Sequence, residues 1–316
     1  MKIGIIGTSD IAFRRFLPAL IKCGDFEYFG VASRNITNTK QFIDAFGSNG
    51  YDSYDALLSN TDVDCIYIPL PPALHYEWAL KALEYGKHVL LEKPFTTSLT
   101  DTSHLIRMAQ RNKLALHENY MFQYHSQLDW IHSKLPELGE LRLIRLDFGF
   151  PFRGTDDFRY SNHLGGGALL DCGGYPLKLA VLLLGETVML VDASLGYKPS
   201  YDVDLFGSAT LRNDEGLTAQ VSFGMDNSYR CSLDIWGSKG SLHTNRIFTA
   251  PDGFKPNIQI ETSDGLTDYK LDADDCFMKS IGRFAQCICD DEQRENNYRA
   301  IIKQAEIIEK FKEQNA

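Results

Sequence analysis

The first 120 residues alternate short apolar runs with segments whose apolar residues recur at helical spacing, and this alternation constrains the fold more than any other feature. Lys2 to Ile6 is a short run closed by Gly7, the pattern of a buried strand. Ile11 to Lys22 has helical spacing and a stop at Gly24. Phe26 to Ala32 reads as a second strand and Thr39 to Phe46 as a second helix, with a helical turn at Tyr54 to Leu58. Cys65 to Ile68 is a strand cut off by Pro69, Pro71 and Pro72, and Leu74 to Tyr85 is a helix ended by Gly86. His88 to Leu91 stops at Glu92-Lys93-Pro94; Ser103 to Arg111 and Leu114 to His117 continue the series. Parallel strands need crossovers and helices usually supply them, so the alternation predicts an α/β, doubly wound parallel sheet.

The pattern changes after Asn119. Leu141 to Phe150, Met189 to Leu195, Leu205 to Leu211, Thr218 to Phe223 and Arg230 to Trp236 alternate and are rich in strand formers. Consecutive strands joined by turn residues predict a mainly antiparallel open sheet, in an α+β domain. Gly165-Gly166-Gly167 and a helical pattern over Ala168 to Leu184 interrupt the strands. Ile301, Ile302, Ala305, Ile308 and Phe311 mark an amphipathic helix over 297–312, which is expected to pack back toward the N-terminal domain. At roughly 150 residues per domain, the expected division is 1–119 and 120–316.

Composition narrows the class. The net charge is -10, which argues against nucleic acid or an anionic membrane as a partner. The longest late apolar run, Leu179 to Leu184, is far too short to span a bilayer. Seven scattered cysteines without a C-x-x-C suit free thiols in a reducing compartment, and a cytoplasmic location is expected. The eight histidines form no metal-ligand spacing, and no metal is expected.

The first strand runs into Gly7-Thr8-Ser9-Asp10-Ile11-Ala12. Against the dinucleotide turn G-x-G-x-x-G/A this reads Gly7, Ser9, Ala12, with a side chain where the second glycine belongs. Gly7 supplies the tight turn, Ala12 permits close packing, and the helix N-terminus faces a pyrophosphate. Ser33-Arg34 follows the second strand, where a carboxylate would bind the ribose hydroxyls of NAD. A hydroxyl and a guanidinium suit a 2′-phosphate instead, so NADP(H) is expected over NAD(H).

Glu92-Lys93-Pro94 and Gly165-Gly166-Gly167-Ala-Leu-Leu-Asp171-Cys-Gly-Gly-Tyr175 together resemble the glucose–fructose oxidoreductase / inositol dehydrogenase / rhizopine-catabolism (Gfo/Idh/MocA) family. Gly-Thr-Ser-Asp-Ile-Ala, Ala-Ser-Arg, Tyr-Ile-Pro-Leu-Pro-Pro and His75 stand in the family's order. The resemblance implies a Rossmann domain and a second domain whose open sheet often mediates oligomerisation. It implies that Pro69, Leu70, His75, Glu92 and Lys93 join Gly7 to Ala12, Ser33 and Arg34 in holding the cofactor. Tyr175, where many members have His, is similar to the nucleotide-sugar 3-ketoreductase branch. Phe148-Gly149-Phe150-Pro151 and Asp157-Phe158-Arg159-Tyr160 strengthen that likeness. The branches acting on free aldoses or cyclic diols share much of the pattern.

Hydride transfer at a carbinol carbon needs a group that exchanges the hydroxyl proton and a group that stabilises charge on the oxygen. Tyr175 is expected to exchange the proton. Lys93, at a strand's carboxyl end, orients the oxygen and favours the tyrosinate form. Asp171 shares a helix face with Tyr175 at i, i+4 and pairs with Lys93 or holds a sugar hydroxyl. The glycine run is expected to leave backbone room for a ligand. Asn119 and Phe122 are candidates to face substrate, with Met121 and His125 beside them; Arg159 and Arg246 are candidates for substrate phosphates. His75 either lines the nicotinamide side or packs. The leading expectation is an NADP-dependent reductase of a nucleotide-linked 3-ketohexose. The alternatives are a dehydrogenase of free sugars or cyclic diols, and a non-catalytic NADP-binding regulator. An open sheet needs its apolar face covered, so a homodimer or homotetramer is expected.

Overall fold

In the computed structural model, which describes residues 1–315, the N-terminal strands are β1 (Lys2–Ile6), β2 (Glu27–Ala32), β3 (Asn49–Tyr51), β4 (Cys65–Ile68), β5 (His88–Leu91) and β6 (Leu116–Glu118). All pair in parallel, in the order β3-β2-β1-β4-β5-β6. The order reverses between β1 and β4, and in such sheets ligands bind at the strands' carboxyl ends near that point. The crossovers contain α1 (Leu17–Cys23), α2 (Lys40–Phe46), α3 (Tyr54–Leu58), α4 (His75–Glu84) and α5 (Leu99–Asn112). Every residue of β4 is buried, as expected of a strand covered on both faces.

The second unit, residues 122–276 with 306–315, is built on an eight-stranded sheet. It contains α6 (Ser126–Lys134), β7 (Leu141–Gly149), α7 (Gly174–Leu184), β8 (Met189–Tyr197), β9 (Asp204–Arg212), β10 (Thr218–Gly224), β11 (Arg230–Gly237), β12 (Gly240–Asn245), β13 (Asn257–Thr262) and β14 (Gly265–Lys270). The order is β14-β13-β12-β11-β7-β10-β9-β8, antiparallel except that β10 runs parallel to β7. Ile144, Leu146 and Phe148 of β7, and Ala219, Val221 and Phe223 of β10, are buried on the face that carries α7. At Gly173 a Cβ would come within 3.0 Å of the Phe223 ring, so the missing side chain lets the helix approach the sheet closely. The apolar stretch Asn162–Leu184 is long and apolar enough to cross a bilayer, but 83% of its most apolar window is buried inside the protein.

The last two helices, α8 (Cys276–Cys289) and α9 (Asp291–Glu313), return the chain to the first unit, which comprises Met1–Met121 and Phe277–Ala305. Phe284 of α8 stacks on Phe26 at 5.6 Å. Tyr298 and Ile301 of α9 enter the first unit's core, and the Tyr298 hydroxyl donates to the Leu114 carbonyl.

α1 and α7 are both entered through π-wound turns, Ala12–Phe16 and Leu169–Gly173. Pro18 and Pro176 follow these turns within three residues. A proline has no N–H for the carbonyl four residues back and its ring crowds that carbonyl; the wider turn relieves the conflict.

Candidate active site

In the first unit the candidate residues lie at the carboxyl ends of β1, β2, β4, β5 and β6. Gly7 has φ +102, and a Cβ there would lie 2.7 Å from Leu70 Cδ2, so the turn requires glycine. The Ser9 hydroxyl accepts from the Ala12 N–H at 3.3 Å and caps the helix that follows. The side chain in place of the second glycine thus has a local structural role. Thr8 and Ile11 are half-buried, and the exposed Asp10 pairs with Arg14 at 2.7 Å.

Ser33 is 5% exposed at the end of β2, and its hydroxyl accepts from the Asn35 N–H at 3.3 Å. Arg34 is exposed, and its charge acts on the Tyr54 hydroxyl. Burial raises the Tyr54 pKa, with Arg34 opposing. Nothing in the sequence spacing marked Tyr54 as Arg34's partner.

His75 is fully buried between two strand-end loops. Its Nδ1 lies 2.8 Å from the Pro94 carbonyl and its Nε2 lies 2.7 Å from the Leu70 carbonyl. Burial lowers its pKa, against the backbone bonds that favour the cation. A neutral imidazole has one N–H, so it donates to only one of these two carbonyls at a time while its ring packs between the loop at Pro69-Leu70 and that at Lys93-Pro94. Glu92 accepts from the Tyr67 hydroxyl at 2.7 Å and from Asn119 Nδ2 at 2.6 Å. Burial raises the Glu92 pKa, with the Tyr67 and Asn119 bonds and the Lys93 charge pulling the other way. Asn119 is 1% exposed, and its amide oxygen accepts from Ser280 at 2.8 Å. Both ends of a side chain expected to face substrate are thus engaged inside the first unit.

In the second unit the candidate residues cluster at the turn before α7. Arg159 donates from Nε to Asp171 Oδ2 at 2.8 Å and from its far end to Asp157 at 3.0 Å. Burial works against its charge, but the two carboxylates outweigh burial and hold its pKa above the usual value. Arg159, a candidate for substrate phosphates, is held by two aspartates. The glycine run needs correction. At Gly166 a Cβ would lie 2.4 Å from the Arg159 carbonyl oxygen, and at Gly167 2.4 Å from Asp204 Oδ1. Its room is filled by the chain's own loop and by Asp204, which accepts from the Leu169 N–H at 2.6 Å.

Tyr175 is 7% exposed among three aromatic rings: Phe148 at 5.1 Å, Phe122 at 5.7 Å and Phe248 at 6.1 Å. Phe122 thus packs on Tyr175. His125 accepts from the Gln127 N–H and starts α6. Arg246 is exposed and stacks over the Tyr229 ring at 5.0 Å.

The donor set of the first unit fits a phosphorylated dinucleotide. Gly7 forms a turn that a Cβ would fill, a capped helix N-terminus follows it, and a hydroxyl and a guanidinium end β2. The sheet order and this turn define a dinucleotide-binding oxidoreductase fold. Residues 1–120 match the Gfo/Idh/MocA family described as "Oxidoreductase family, NAD-binding Rossmann fold", and 135–243 match its C-terminal domain. The chain belongs to the Gfo/Idh/MocA oxidoreductase family. It is 40% identical to dTDP-3,4-didehydro-2,6-dideoxy-alpha-D-glucose 3-reductase of Actinomadura kijaniata, over 98% of this chain and 94% of that one. The reductase of the same name from Streptomyces violaceoruber is 38% identical over the same shares. The crystal structure of KijD10, a 3-ketoreductase from Actinomadura kijaniata in complex with NADP and TDP-benzene, superposes with a TM-score of 0.96. That match is 39% identical and covers 99% of this chain and 97% of that one.

Proposed function

We propose that this oxidoreductase reduces the C3 ketone of a dTDP-linked keto-sugar, preferring NADPH to NADH. The observation that carries the reading is the end-to-end match to a 3-ketoreductase that holds NADP and TDP-benzene. The nicotinamide supplies the hydride when bound. The residues Gly7 to Ala12 hold the pyrophosphate, while Ser33 and Arg34 take the 2′-phosphate. Pro69, Leu70, His75 and Glu92 shape the nicotinamide side. Tyr175 gives its hydroxyl proton to the ketone oxygen as C3 becomes a carbinol. Lys93 orients that oxygen and stabilises its developing charge. Asp171, fixed by Arg159, accepts from a sugar hydroxyl, and Phe122 provides an apolar wall.

Loss of reduced-nicotinamide absorbance with a dTDP-linked 3-keto-sugar, set beside NADP reduction by aldoses and cyclic diols, tests the reading. Turnover confined to free sugars or diols would move the function to a dehydrogenase. The Tyr175→Phe variant is expected to lose turnover at least 100-fold while binding NADPH as before.

The same reading includes a homo-oligomer formed through the open sheet. It is supported by exposed apolar side chains on β8, β9, β11 and β14: Met189, Tyr197, Phe206, Trp236 and Leu266. Light scattering on the wild type and on Trp236→Glu tests this part. Seven free cysteines support a reducing, cytoplasmic location.

A further inference from the structure

A chain of five side chains in the first unit ends at Glu92, and the function proposed above makes no use of its far end. Tyr67 and Asn119 both donate to Glu92 Oε1, at 2.7 and 2.6 Å. Ser280 of α8 donates to Asn119 Oδ1 at 2.8 Å and lies 3.1 Å from His117 Nε2. Ser280 and His117 are both 0% exposed. Glu92 Oε2 accepts from the Lys93 N–H at 3.3 Å. The neighbouring carboxylate, Glu118, accepts from the Phe95 N–H at 3.0 Å.

The direction of each link is forced. A carboxylate only accepts, so Asn119 presents its NH2 to Glu92 and its carbonyl to Ser280. A serine hydroxyl has one hydrogen, and here it goes to Asn119. Ser280 therefore accepts from His117, which must carry a hydrogen on Nε2. One proton added to Glu92 permits the opposite order. Glu92 then donates to the Asn119 carbonyl, Asn119 donates to Ser280, and Ser280 donates to a His117 whose hydrogen sits on Nδ1. The second state holds one proton more, on Glu92, while Asn119, Ser280 and His117 keep their own number and the three hydrogen bonds reverse direction.

We propose that Ser280 is a positioning residue that couples the charge on Glu92, next to Lys93, to the tautomer of His117 through the orientation of the Asn119 amide. Burial lifts the Glu92 pKa above the usual carboxylate range, against Tyr67, Asn119 and Lys93, which favours proton uptake at milder acidity. The coupling is independent of which sugar the enzyme reduces.

Nitrogen-15 spectra of histidine-labelled protein, titrated from neutral to mildly acidic pH, test the proposal without reference to turnover. In the wild type His117 is expected to carry its hydrogen on Nε2 at neutral pH and to exchange it for one on Nδ1 as Glu92 takes up a proton. Ser280→Thr keeps the hydroxyl and is expected to behave in the same way. Ser280→Ala is expected to break the link, leaving the His117 tautomer independent of that step. A His117 that holds its hydrogen on Nδ1 at neutral pH overturns the proposal. So does a wild-type His117 that makes no exchange, or that gains a second hydrogen instead. A Ser280→Ala titration that matches the wild type also overturns it. If the Ala variant fails to fold, the wild-type titration alone decides.

Discussion

Arg159 bridges two carboxylates, reaching Asp171 at 2.8 Å through Nε and Asp157 at 3.0 and 3.1 Å through its far end. The bridge ties the loop before the glycine run to the helix that carries Tyr175. Removing the guanidinium from Asp171, whose side chain is only 9% exposed, loses a charged hydrogen bond. Arg159→Ala is expected to cost about 2 kcal/mol of stability and to lower kcat more than it raises KM. Lysine keeps the charge but not the fork, so Arg159→Lys should recover only part of the loss. Urea unfolding and steady-state kinetics check both variants. A rise in KM alone, with stability unchanged, would return Arg159 to a phosphate-binding role.

Ser9 makes a second case in which a departure from pattern has a local cause. Its hydroxyl caps the helix after β1, so Ser9→Ala is expected to lower stability by about 1 kcal/mol. Ser9→Gly restores the usual second glycine and should cost only a few tenths of a kcal/mol. Thermal unfolding of the two variants side by side distinguishes capping from crowding at the turn.

The first unit was largely legible because its strands are buried on both faces. Cys65–Ile68 and His88–Leu91 were readable residue for residue, since short apolar runs between proline and glycine signals leave little choice. β12 to β14 were not: β14 is exposed at nearly every position within the chain, and few apolar residues mark it. α8 carries a helical pattern of its own, in Phe277, Ile281 and Phe284. Among the proposed catalytic residues, Lys93, Asp171 and Tyr175 are legible because they lie in short motifs. The partners of those motifs are not. Tyr54 beside Arg34, Phe248 beside Tyr175 and Ser280 beside Asn119 are brought together by the fold across 20 to 161 residues of chain. No local spacing encodes such pairs.

The cofactor preference can be tested without a substrate. Arg34 is exposed at the end of β2, where a 2′-phosphate would meet its guanidinium. Loss of a charged hydrogen bond corresponds to about 1.5–3 kcal/mol. Arg34→Ala is therefore expected to weaken NADPH binding by about 10- to 100-fold and to leave NADH binding nearly unchanged. Quenching of protein fluorescence by each cofactor gives both constants. Equal losses for the two cofactors would show that Arg34 serves the fold and not the 2′-phosphate.

His88 sets an expected acid limit to stability. It opens β5, and its Nδ1 accepts from the Ala115 N–H at 2.9 Å, which requires that nitrogen to be unprotonated. Burial, helped by the Arg294 charge and opposed by Asp64, lowers its pKa to about 4. In the unfolded chain the same group titrates near ~6.5. Between those values the unfolded chain binds more protons than the folded one, so stability rises with pH. The contribution is whole above about pH 6.5 and is lost as pH falls toward the folded value. The urea midpoint of the wild type is expected to drop across that window. His88→Gln does not titrate, and its side-chain oxygen can still accept from Ala115, so its midpoint should change less over the same range. If the two midpoints fall in parallel, the acid sensitivity belongs to another group.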